Sequence, residues 1–160
     1  MWVRLAVLGA TDRAELDAAL EAEPTAVSRV EHTRAVVSMP TAEAKEFAFE
    51  RFTGAVAVPN YELRAAGQGM WREAQAELLT PYVARYADQL PTAARAHSGW
   101  VQADVAEDFF PACMAGDEAM ALLAPLRTSG DLPAPVRRRV TDAVDELERR
   151  RAVIARFRRG

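Results

Sequence analysis

Cysteine occurs once, at Cys113, so the chain can form no internal disulfide, and a reducing, cytoplasmic setting is the expected one. Histidine occurs twice, at His32 and His97, and neither is followed by glutamate. That rules out the H-E-x-x-H zinc motif and any paired Cys/His spacing that would hold a metal. A serine triad would need one of these two histidines. Ser28, Ser38, Ser98 and Ser129 all lack the G-x-S-x-G setting of a nucleophile elbow. No phosphate-binding G-x-x-x-x-G-K-[ST] or G-x-G-x-x-G loop is present; Gly67-Gln68-Gly69 has neither the preceding strand nor the third glycine. Lysine also occurs once, at Lys45; every other basic side chain is arginine, as the bias of a GC-rich genome would produce. No apolar run reaches the length of a membrane span, and no signal peptide is visible. Strand formers are sparse, and a net charge of −3 gives no bulk reason to expect nucleic acid.

What is abundant is alanine, about a fifth of the chain and the best helix former. Half of the 160 residues are hydrophobic, enough for a core in a single domain spanning 1–160. Helix punctuation recurs at short intervals. Gly9 closes a helix over 2–8, Thr11 is placed to cap 12–22, and Thr25 caps 26–38 after Pro24. Thr41 caps 42–53, with Pro40 before it and Gly54 behind it. The run 55–59, ending in proline, reads as a linker; Asn60 caps a short helix to about 68, whose end Gly67 and Gly69 loosen. A helix over 72–79 is restarted at Thr80-Pro81. From there Leu79, Tyr82, Val83, Tyr86 and Leu90 form the clearest helical stripe, which Pro91 ends. Further helices are predicted over 92–97, 99–110 and 117–128, the last broken near Pro125. A final helix over 135–158 aligns Val136, Val140, Val144, Leu147, Ile154 and Phe157. The expected fold is all-α. Its natural architecture is an irregular superhelix of antiparallel helix pairs of the HEAT or armadillo kind, with a compact irregular bundle as the alternative. The apolar start at Trp2, Val3, Leu5, Val7 and Leu8 predicts that the native chain continues upstream of Met1.

Candidate chemistry is thin. Asp104, Glu107 and Asp108 share one helix at acid–base spacing, but such a group is more often a solvated face. Cys113 beside Met114 has no identifiable base and reads as a buried thiol. His97 before Ser98-Gly99 reads as a helix-end residue. Trp71, Tyr82, Tyr86 and Trp100 suit either core packing or the lining of a peptide cavity. From Pro133 onward nine arginines face four acids, in the runs Arg137–Arg139, Arg149–Arg151 and Arg156–Arg159. They could follow a nucleic-acid backbone, but Asp142, Asp145, Glu146 and Glu148 lie between them at pairing distance and no stacking aromatics are interleaved. No residue is assigned as catalytic or as a metal ligand, and substrate-binding residues stay unassigned.

A run of segments through the chain carries a family resemblance. Pro40-Thr41-Ala42-Glu43-Ala44-Lys45 begins it, followed by Asn60-Tyr61-Glu62-Leu63-Arg64-Ala65 and Gly69-Met70-Trp71. Gln75-Ala76-Glu77-Leu78-Leu79-Thr80-Pro81-Tyr82-Val83, Tyr86, Leu90-Pro91 and Phe110-Pro111 keep the order. Arg4-Leu5-Ala6 and the Arg137–Arg151 region fit the two ends. In this order the segments resemble the C-terminal helical-repeat domain of actinobacterial aminopeptidase N enzymes, zinc metallo-aminopeptidases related to the endoplasmic-reticulum aminopeptidases. Met70-Trp71, where the family more often has an aromatic pair, and Val58-Pro59 depart from its pattern. The resemblance implies a helical domain without catalytic residues of its own. It would cover the active site and wall the peptide chamber of an enzyme that removes N-terminal amino acids from peptides. The zinc ion and its ligands would lie upstream, and the partners would be the upstream catalytic domain and the peptide substrate. A stand-alone helical-repeat module that binds another protein is the alternative.

Overall fold

The structure, a computed structural model, describes residues 1–157. All regular secondary structure among them is helical. The chain divides into two compact units, Met1–Leu78 and Leu79–Gly160.

In the first unit the helices are α1 (Trp2–Val7), α2 (Arg13–Ala22), α3 (Ala26–Ser38), α4 (Ala42–Phe52) and α5 (Asn60–Met70), followed by a 3-10 turn over Glu73–Gln75. α3 is the central element, packing against α1, α2, α4 and α5. Ala6, Leu16, Ala35, Val36, Met39 and Ala44 form a buried cluster, with Val3 and Phe47 packed on it. Small side chains on α1, α3 and α4 let these helices approach closely. Thr25 and Thr41 cap α3 and α4 through the amides of Ser28 and Ala44, as their positions predict. At α2 the cap falls one residue later than predicted. Asp12 accepts from the Glu15 amide while the Glu15 carboxylate accepts from the Asp12 amide, a reciprocal box. Thr11 instead donates its hydroxyl to Glu15 at 2.7 Å.

Two expectations about α5 are corrected. Pro59, not Asn60, is its N-cap, and no side chain bonds the first turn. Gly67 and Gly69 do not loosen the end; both are buried within the helix. A Cβ on Gly69 would lie 2.5 Å from Val37 Cγ2 and 3.0 Å from the Arg34 carbonyl, so the glycine is where α5 lies against α3.

The second unit holds nearly all of α6 (Ala76–Ala96), then α7 (Val101–Asp108), α8 (Asp117–Leu123), a 3-10 segment over Ala124–Thr128, and α9 (Ala134–Phe157). The predicted helices over 72–79 and 92–97 are not separate. α6 runs through both Pro81 and Pro91. Proline removes one intrahelical hydrogen bond and crowds the preceding turn. Here the buried stripe Leu79, Tyr82, Val83, Tyr86, Leu90, Ala93 and Ala94 continues on both sides of Pro91, and its burial outweighs that cost. The predicted break near Pro125 appears as the change from α8 to 3-10 geometry. α7 is shorter at both ends than the predicted 99–110, and Gly99 sits before it at φ +60.

α9 buries Val136, Val140, Val144 and Leu147 at three- and four-residue spacing and packs against α7 and the 3-10 segment. The aligned Phe157 is 81 % exposed. Arg158 and Arg159, in the last arginine run, lie outside the described residues. No described helix is long and apolar enough to cross a membrane.

Candidate functional site

A fully buried polar group lies where α3, α4 and α5 meet. Lys45 is wholly buried, and its ammonium donates to the carbonyls of Val37 at 2.7 Å and Met70 at 3.1 Å. Both carbonyls belong to last turns, where a helix leaves acceptors unsatisfied and carries its negative end. Ser38 donates its hydroxyl to the Arg34 carbonyl, at 2.7 Å, and stands 3.2 Å from that of Gly69. Arg72 donates to the Ser38 hydroxyl at 3.1 Å, and Gln75 to the Ser38 carbonyl at 2.9 Å. Two cations, Lys45 and Arg72, and two neutral polar side chains, Ser38 and Gln75, thus close the C-terminal ends of two helices. Sequence reasoning had no role for Lys45 beyond its place in the resemblance. The usable signal was that a chain otherwise built with arginine keeps one lysine, whose compact ammonium fits where a planar guanidinium does not.

A second polar group ties α2 to α3. His32 Nε2 lies 2.6 Å from Asp17, and Arg13 donates Nε to both oxygens of the same carboxylate, at 2.8 and 3.0 Å. Partial burial raises the Asp17 pKa, but the bonds from Arg13 and His32 outweigh it and hold the carboxyl below its ordinary value. His32 also lines an open groove of about 530 Å³. Its apolar wall is Trp2, Leu16, Ala19, Leu20 and Val27, and Glu23 and Glu31 stand on its rim.

In the second unit the predicted candidates come apart. Asp104 and Glu107 meet Arg139 of α9, at 3.9 and 3.0 Å, so they join two helices rather than forming an acid–base pair. Tyr86 is fully buried, donates to the Ala106 carbonyl at 2.6 Å and meets Phe110 edge-on at 5.9 Å; burial pushes its phenol far above the usual range. Tyr82 is buried and Trp71 half-buried. Of the four aromatics, Trp100 alone is exposed, at 67 %, and lines an open pocket of about 650 Å³ with Asp104, Pro135, Arg138 and Arg139. Cys113 is half-buried rather than buried, and His97 follows the end of α6.

Most α9 arginines are engaged. Arg139 pairs with Glu107, Arg149 with Glu146, and Arg151 with Asp117. Arg137 donates to the Ser129 and Leu132 carbonyls, and Arg150 to that of Ala112. From the 3-10 segment, Arg127 reaches Asp145 and Glu148 of α9, both at 3.0 Å. Among the described residues no group of three or more His, Cys, Asp or Glu is arranged to hold a metal ion. Among the described residues the geometry offers surfaces for binding and no assembled set of nucleophile, base and oxyanion donors. No family model matches the chain, and no curated protein matches its sequence.

Proposed function

We propose that this chain is a non-catalytic helical domain of a zinc aminopeptidase of the aminopeptidase N type, one that covers the active site and walls the peptide chamber. The observation that supports the reading is the use made of the resembling residues. Thr41 caps α4, and Lys45 closes the ends of α3 and α5. Gly69 lies against α3, and Leu79, Tyr82, Val83, Tyr86, Leu90 and Phe110 are buried. The segments that carry the likeness are thus the ones that build helices and pack them, as in a domain whose task is shape. In this reading the helices extend as an irregular superhelix of HEAT or armadillo kind. The zinc is bound by the catalytic domain upstream, and the enzyme works in the cytoplasm. The contribution to catalysis is steric: a helical wall keeps bulk water from the zinc site and limits which peptides enter.

A protein-binding module is the second reading, favoured by the apolar groove of α1, α2 and α3. An antibody against the chain, used on a lysate of the source organism, separates the two. The first reading expects a band several times larger than 17.6 kDa that co-purifies with chelator-sensitive aminopeptidase activity. A band near 17.6 kDa without that activity overturns it in favour of the second.

A further inference from the structure

The α1–α2–α3 groove is an apolar surface with acids at its edge. Trp2, Leu20 and Val27 leave apolar surface open along it, and Val27 is 73 % exposed. Its rim carries Glu23 and Glu31, and the one basic side chain in its lining is His32, already held by Asp17. The Glu23 carboxylate has no partner among the described residues, and Glu31 is shared only with Arg34 at the surface. An occupant that satisfies this groove is apolar at its centre and positively charged around it.

The chain itself carries such an element. From Arg149 to Phe157, α9 holds four arginines and no acid. Arg149, Val153, Arg156 and Phe157 are spaced four, seven and eight residues along the helix and so share one face. Val153 is 55 % and Phe157 81 % exposed. Arg156 has no partner among the described residues, and Arg149 holds only the exposed Glu146. An exposed ion pair of that kind gives little stability and exchanges readily.

We propose that the apolar, arginine-rich end of α9 docks in the α1–α2–α3 groove of a second copy of the chain. Val153 and Phe157 cover Leu20 and Val27, and Arg149 and Arg156 face Glu23 and Glu31. The two surfaces differ, so the contact is heterologous and a pair of copies keeps one free groove and one free tail. Association therefore grows with concentration. It weakens as salt screens the rim charges, while the apolar centre resists salt. The proposal does not depend on the proposed function.

Light scattering with size exclusion, from micromolar to millimolar chain, reads the mass directly. The expected result is a mass that climbs above 17.6 kDa with concentration and falls back between about 50 mM and about 500 mM salt. Val27→Arg blocks the groove and Phe157→Asp blocks the tail, so each variant alone stays monomeric. Mixed, they retain one intact groove and one intact tail and form a finite 1:1 pair. Both sites are exposed, and an unchanged helical circular dichroism spectrum confirms folding. Should either variant lose it, Glu23→Arg and Arg156→Glu take their places. A wild-type chain that stays monomeric throughout overturns the proposal. So does a mixture that forms no pair, or self-association that survives Phe157→Asp, which would assign the groove another occupant.

Discussion

At the scale of the residue, Lys45 shows what this chain asks of its charged groups. Its ammonium is wholly buried and bonded to two helix-end carbonyls. Desolvating a cation is costly, and the carbonyls and helix ends that surround it supply the compensation. Removing the ammonium relieves the desolvation but strands the acceptors of Val37 and Met70 in an apolar interior, and the second effect is the larger. Lys45→Met is therefore expected to destabilise the chain by about 2–4 kcal/mol. The measurement is urea unfolding, with the loss seen as a lower midpoint at an unchanged slope. A loss under about 1 kcal/mol would mean that water reaches these carbonyls and that the ammonium is not their essential partner.

At the scale of the element, α6 separates what punctuation predicts from what packing decides. Pro91 was expected to end a helix, yet Leu90, Ala93 and Ala94 are buried on both sides of it in one continuous helix. Pro91 therefore weakens a helix rather than terminating one. Pro91→Ala restores a bond to the Ala87 carbonyl and removes the clash, and is expected to stabilise the chain by about 1–3 kcal/mol. A thermal melt reads it as a higher Tm, and a fall in Tm would mean that the proline ring is needed for packing. Caps whose side chain bonds its own helix were legible, as at Thr25 and Thr41, because the signal lies within four residues. Gly69 and Lys45 were not legible, because their roles depend on α3, more than thirty residues from Gly69 along the chain and reached only after folding. For the same reason the stripe of α9 was legible as far as Leu147, whereas the exposure of Phe157 was not. Periodicity reports a shared face but not whether anything covers it.

At the scale of the whole molecule the question is how much of the positive charge is free to act on a partner. Nine arginines from Pro133 onward give the sequence a basic end. The structure engages Arg139, Arg149 and Arg151 with carboxylates and Arg137 and Arg150 with carbonyls. Among the described residues only Arg138 and Arg156 of this set lack a partner. With Arg158 and Arg159 lying outside the described residues, at most four of the nine arginines are without a partner, against a net charge of −3 over the chain. Each phosphate neutralised contributes about 0.9 to the slope of log affinity against log salt, so four give about −4 and all nine would give about −8. Electrostatic attraction of the smaller size, opposed by the chain's acidic balance, does not hold a duplex at physiological ionic strength. Fluorescence anisotropy of a labelled DNA duplex is accordingly expected to stay flat as chain is added at about 150 mM salt, with weak binding emerging only near 10 mM. Tight binding with a slope near −8 would show that the ion pairs of α9 open to meet phosphate. The arginines would then be a nucleic-acid surface, and the steric role proposed for the chain would have to be abandoned.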